Sequence, residues 1–237
     1  MTTKYETMDF APLEERLGYK FKDKSLILQA LTHRSYLNEH SDFPFDHNER
    51  LEFLGDAVLE VVVTEHLYKN YPNPEGELTN WRAALVNAKT LAGIASQLAF
   101  EEFLLMSKGE AKDKNSKARM YILANAIEAI IGAIYLDGGN KASAEFIEKH
   151  ILSHLPFILK NKLYIDPKSR FQETAQELLG ITPTYKVLKE TGPDHNKKFT
   201  VGVFLDKELI AIGGGTSKQE AQISAAQAGL EAKQWNI

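Results

Sequence analysis

Through the first 160 residues apolar side chains recur every three or four positions, in runs separated by short polar breaks, the period of helices that bury one face. Leu26, Ile27 and Leu31 mark one such run. A longer one extends from 48 to about 71, where Leu51, Leu54, Val58, Val61 and Val62 form an apolar stripe that Pro72 ends. The same spacing predicts helices over 78–99, 118–136 and 142–159. The polar stretches 34–47 and 107–117 are long enough to be functional loops, and both flank helices that carry carboxylates.

After Lys160 the texture changes. Residues 161–167 read as a linker, followed by a helix over 169–179 that Gly180 terminates. Strand-like stretches at 184–190, 199–205 and 209–213 precede a last helix over 218–233. The pattern therefore predicts a multi-domain chain. An all-α domain occupies 1–160, with its core at about 10–139, and a small α+β domain of order α-β-β-β-α occupies 168–235.

Composition narrows the chemistry. Hydrophobic residues make up 43% of the 237 positions, enough for a real core. No apolar stretch approaches the roughly 20 residues that span a bilayer, and the first residues are too polar for a secretory signal, so the expectation is a soluble, cytoplasmic protein with no membrane partner. Cysteine is absent, which excludes disulfides, thiolate zinc sites and a cysteine nucleophile, and leaves oxygen or imidazole to hold any metal. The net charge of −4 lies wholly before Asp166, since nine basic and nine acidic residues balance from there on. An acidic first domain approaching a polyanion needs cations or a local basic face.

Glu49, Glu52 and Asp56 stand at i, i+3 and i+7, so their carboxylates leave one side of the predicted helix. Like charges so spaced repel by roughly 0.2–0.5 kcal/mol per pair. Asn125 and Glu128 are also three apart, within the otherwise almost wholly apolar ILANAIEAIIGAIYLD. Polar oxygens on a buried helix need a partner, and a divalent cation is one that also ties two helices together. The plain alternative is a solvated face in which Glu49, Glu52 and Asp56 pair with Arg50 and lysines. The apolar setting of Glu128 argues against it.

The run HNERLEFLGDAVLE (47–60) closely resembles the signature of the ribonuclease III family. The match continues through LTHRSY (31–36), PEGELTNWRAALVNAKTLA (74–92) and ILANAIEAIIGAIYLDGG (122–139). The resemblance implies an all-helical endonuclease domain that forms a homodimer, each protomer cutting one strand of double-stranded RNA. Carried over by position, the catalytic and metal-binding residues are Glu52, Asp56, Asn125 and Glu128, holding Mg²⁺ or, as a substitute, Mn²⁺. Glu49 and Glu75 match positions near the RNA or the dimer contact. The implied products carry 5′-phosphate and 3′-hydroxyl ends with two-nucleotide 3′ overhangs, from precursors of ribosomal, messenger and transfer RNA. One departure stands out: the family commonly has aspartate where this chain has Asn125. It implies weaker metal binding, and it keeps open a cleavage-impaired dimer that only binds duplex RNA.

The tail resembles a double-stranded-RNA-binding domain, in SRFQETAQELLG, PTYKVLKETGPDHNKKFTVGVFL and GGGTSKQEAQISAAQAGLEA. Such domains read A-form shape rather than sequence. The resemblance places Gln172 and Glu173 at one minor groove, His195 at the next, and Ser217, Lys218, Gln219 and Gln222 against phosphate. The family opens this last helix with two or three basic residues. Here only Lys218 is basic, which predicts modest affinity and a shallow salt dependence. His150 and His154 have the spacing of helical zinc ligands but lack the HExxH glutamate, and 213–215 do not match a nucleotide phosphate loop, so neither zinc nor a nucleotide cofactor is expected. The Glu-x-x-His pairs of di-iron bundles are missing too.

Overall fold

In the computed structural model, which describes residues 8–113, 116–193 and 197–235, the stripe of 48–71 becomes one unbroken helix. The chain divides into two units, one ending at Tyr164 and the other beginning at Ile165. The first unit is helical: α1 (Ala11–Leu17), α2 (Lys24–Ala30), α3 (Arg34–Glu39), α4 (Glu49–Asn70), α5 (Glu75–Val86), α6 (Ala88–Gln97), α7 (Lys108–Lys112), α8 (Lys117–His150) and α9 (Leu155–Lys160).

α8 is its axis. Ala126, Ile127, Ala129, Ile130, Ile131, Ala133 and Ile134 are fully buried, so the middle of this helix is covered on nearly every side, with Asn125 and Glu128 half-buried. α4 packs against it most broadly, and α6 and α2 complete the wall. The helical run Lys117–Lys160 is long and apolar enough by composition to cross a membrane, which corrects the expectation that no segment is. Its most apolar window is 61% buried within the protein, the setting of a core helix.

Other boundaries move for local reasons. The helix expected over 78–99 is two, broken at Asn87, whose Oδ1 accepts from Thr90 N to cap α6 while its Nδ2 donates to the carbonyls of Ala83 and Ala84. The gap expected between 136 and 142 is only a kink at Gly139, whose φ of 76° and ψ of −174° suit a residue without Cβ. The stretch 142–159 is then split near Ile151 by a 3₁₀ turn, Leu152–His154. Both predicted loops contain short helices, α3 and α7, and Ser107 caps the second. Val61, placed in the apolar stripe, faces outward and is 65% exposed, while Leu51, Val58 and Val62 are buried as expected.

The second unit runs α10 (Pro167–Leu179), β1 (Thr184–Thr191), β2 (Lys198–Leu205), β3 (Glu208–Gly215) and α11 (Lys218–Ala232). α10 starts at Pro167, two residues earlier than predicted, because Asp166 Oδ1 caps it by accepting from Lys168 N and Ser169 N. The sheet is antiparallel in the order β1-β2-β3, with Glu190 opposite Phe199 and Tyr185 opposite Val203. Phe171 and Ala175 of α10 and Ala221, Ala225, Ala226 and Leu230 of α11 bury against Val201, Val203 and Leu205. Small residues let α11 lie close to the sheet.

Candidate active site and nucleic-acid interface

The carboxylates of α4 and α8 meet because two glycines let the helices touch. A Cβ on Gly55 would stand 1.7 Å from the main-chain oxygen of Glu128, and one on Gly132 would stand 2.2 Å from that of Leu51. The backbones are thus in direct contact at Glu128 itself and one turn from Glu52. Asn48 anchors the start of α4: its side chain is buried, Nδ2 donates to Ala30 O at 3.3 Å, and its amide donates to Thr32 O at 2.9 Å.

Glu52, Asp56, Asn125 and Glu128 lie around this crossing and interact electrostatically. Burial pushes the Glu128 carboxyl up to about 7, with repulsion from Asp56 and Glu52 adding to it. Glu52 is also raised, first by burial and then by Glu49 and Asp56, while a hydrogen bond from the Asn125 amide pulls it the other way. Asp56 is exposed. Among the described residues no three His, Asp or Glu side chains converge as a ready ligand group. Glu52 is turned toward an amide and Asp56 toward solvent. The donor chemistry nonetheless fits a hard divalent cation: three carboxylates and one amide oxygen, two of the carboxyls raised by burial and mutual repulsion.

Glu75 lies outside this group, and Glu49 stands at its edge, acting on Glu52 by repulsion. Glu49 is exposed and stands between Arg34 Nη1 at 3.4 Å and His47 Nδ1 at 3.8 Å. Glu75 is exposed on the first turn of α5, accepting from Thr79 Oγ1 at 3.0 Å. His150, set aside as a zinc ligand, places Nε2 3.0 Å from the carbonyl of Leu17.

Along the outer side of α4, Phe53 and Tyr68 are 82% and 80% exposed and share a face with Val61. An open groove of about 420 Å³ lies beside Val61 and Tyr68, lined by these two with Glu60, Thr64, Glu65 and Arg82. Arg82 bridges it, with Nε 2.9 Å from Glu60 and Nη1 2.9 Å from Thr64 Oγ1.

In the second unit Gln172 and Glu173 are exposed on α10, and Gln219 on the first turn of α11. Ser217 caps α11, its Oγ accepting from Glu220 N at 3.1 Å. Lys218 pairs with Glu190 at 3.3 Å and lies over the Phe199 ring. Gln222 accepts from Lys168 Nζ at 2.8 Å. His195 lies outside the described residues.

Residues 23–155 match the family described as Ribonuclease-III-like, and residues 167–233 match the double-stranded RNA binding motif. The chain belongs to the ribonuclease III family. Among curated ribonuclease III relatives, Ribonuclease 3 of Oceanobacillus iheyensis is 42% identical over 225 residues, 94% of this chain and 98% of that protein. Ribonuclease 3 of Natranaerobius thermophilus is 44% identical over 225 residues, 93% and 95% of the two chains. The solved nuclease domain of Ribonuclase III from Campylobacter jejuni superposes with a TM-score of 0.55 at 44% identity, covering 62% of this chain and 99% of that one. As a ribonuclease III, the protein is an endoribonuclease acting on double-stranded RNA, with an all-α nuclease domain followed by an α-β-β-β-α RNA-binding domain.

Sequence reasoning named the carboxylates and missed Gly55, Gly132, Asn48 and Lys168. A readable signal existed for the first two. Glycine inside a long helix costs about 1 kcal/mol against alanine, so its presence there points to a close approach.

Proposed function

We propose that Glu52, Asp56, Asn125 and Glu128 hold a divalent cation, Mg²⁺ or Mn²⁺, at the α4–α8 crossing, and that the enzyme cuts duplex RNA there by hydrolysis. The observation that carries this reading is the glycine-to-backbone contact that sets the acidic faces of α4 and α8 beside each other. A cation so held supplies Lewis-acid stabilisation of charge on the phosphate and leaving oxygen, and a water nucleophile near neutral pH. Glu128 and Glu52, raised by burial and repulsion, supply hard donors whose repulsion the ion relieves. Asp56, at the exposed edge, faces the incoming phosphodiester. The products are 5′-phosphate and 3′-hydroxyl ends with two-nucleotide 3′ overhangs, and the substrates include ribosomal and other structured precursors in the cytoplasm.

The working form is a homodimer, because two strands of one duplex call for two clusters. The exposed face of Phe53, Val61 and Tyr68 supports it, and the related Campylobacter jejuni nuclease domain is described with a region involved in dimer formation. The test is a gel assay of long duplex RNA with Mg²⁺ or Mn²⁺, run beside Glu128→Gln. Cleavage to short duplexes by the parent, and binding without cleavage by the variant, are the expected results. Binding without cleavage by the parent at any metal concentration overturns the catalytic reading in favour of a duplex-binding dimer.

A further inference from the structure

The first turns of α11 hold one lysine, Lys218, and its charge is already engaged. Glu190 lies 3.3 Å from its ammonium, and the Phe199 ring, opposite Glu190 in the sheet, lies beneath it with its centroid 5.7 Å from Nζ. One helical turn on, where a basic side chain would continue the same face, stands Gln222. That position is not without charge. Lys168, from the first turn of α10, reaches across and donates from Nζ to Gln222 Oε1 at 2.8 Å. Its ammonium also lies over the Tyr185 ring, 5.1 Å from the centroid.

The two lysines are held in different ways. Lys218 is partnered by a carboxylate, which offsets part of its charge. Lys168 is gripped by an amide oxygen and an aromatic face, which orient an ammonium without neutralising it. Among the described residues Lys168 forms no ion pair with a carboxylate. An ammonium has three donors, and one is given to Gln222.

We propose that Lys168 is a phosphate-binding residue of the second domain, supplying in space the cation absent at position 222, with Gln222 as its positioning residue. The inference rests on the RNA-binding reading of this domain. It assigns a role to a residue of α10 that neither sequence spacing nor helix position suggests. It also makes Glu190 a restraint on Lys218, which leaves Lys168 the less neutralised of the two cations.

The test is the salt dependence of binding of the full chain to an RNA duplex of about 16 base pairs, the span of one such domain, in EDTA so that no strand is cut. Each phosphate contact made by a lysine contributes about 1 to the slope of log affinity against log salt. Lys168→Met keeps the aliphatic stem and removes the charge, so the slope falls by about 1. Lys168→Arg retains it. The exchanged pair Lys168→Gln with Gln222→Lys restores the parental slope, a result that a purely structural role for Lys168 does not produce. Glu190→Gln frees Lys218 and steepens the slope by up to about 1. Circular dichroism melting of each variant separates lost contacts from lost folding. A parental slope in folded Lys168→Met overturns the inference while leaving the RNA-binding reading intact. A slope that the exchanged pair does not recover overturns it equally. Parent protein that shows no salt-dependent duplex binding sinks the RNA-binding reading first, and this inference with it.

Discussion

The main-chain oxygen of Glu128 lies where a Cβ on Gly55 would be, at 1.7 Å. No side chain fits between the two helices at that point, and backbone cannot move aside as a flexible side chain can. The carboxylates of α4 come within electrostatic reach of Glu128 on α8 because this contact is made.

Gly55→Ala therefore forces the helices apart. The expected loss is about 3 kcal/mol or more, the upper end for overpacking, seen as a fall in melting temperature of roughly 10 °C together with loss of cleavage. Gly93→Ala in α6, where a Cβ meets nothing within 4 Å, is the control. It should be neutral or stabilise by up to about 1 kcal/mol. Equal melting temperatures for the two variants would falsify the close-contact account.

Asn125→Asp should tighten metal binding. The amide now donates to Glu52, and an aspartate cannot, so a fourth carboxylate adds repulsion that a cation relieves. Calorimetric titration with Mn²⁺ should show affinity higher by roughly tenfold, and half-maximal cleavage should need correspondingly less metal. An unchanged affinity argues that position 125 lies outside the ion's coordination.

The exposed side of α4 should be the seat of self-association. Phe53→Ala and Tyr68→Ala each remove a large, more than three-quarters exposed aromatic side chain of the kind that dominates protein interfaces, at a cost of about 2 kcal/mol or more. Light scattering should show the parent as a dimer and both variants shifted toward monomer. Parental mass for both variants would place the interface elsewhere.

His33 should make the fold acid-sensitive. Burial lowers its pKa below the ordinary 6.5, and Nδ1 caps α3 by accepting from Ser35 N at 3.3 Å. Because the folded value lies below the unfolded one, the stabilisation is complete above about 6.5 and is lost as pH falls through the lowered value. His33→Asn keeps an acceptor without a titrating ring. Urea unfolding between pH 7 and 5 should show a smaller decline for the variant than for the parent, and identical declines would remove His33 from the account.

The linear chain determined a good deal by itself. The three- and four-residue spacing in the first 160 residues set the helical class, because one buried face per helix leaves that period. The change of texture after Lys160 marked the second domain, and the acidic triplet of α4 with Asn125 and Glu128 pointed to hard-cation chemistry before any geometry was known. Tertiary structure alone decided the rest. Asn87 breaks a helix that spacing made continuous, since side-chain capping competes with helical propagation only when both partners are in place. Val61 faces outward although the stripe enrolled it, because burial depends on which neighbour arrives. That Lys168 answers for position 222, and that Lys218 is tied to Glu190, follows from side chains meeting across 54 and 28 residues. Local pattern records periodicity and charge. It does not record which distant group fills the remaining space.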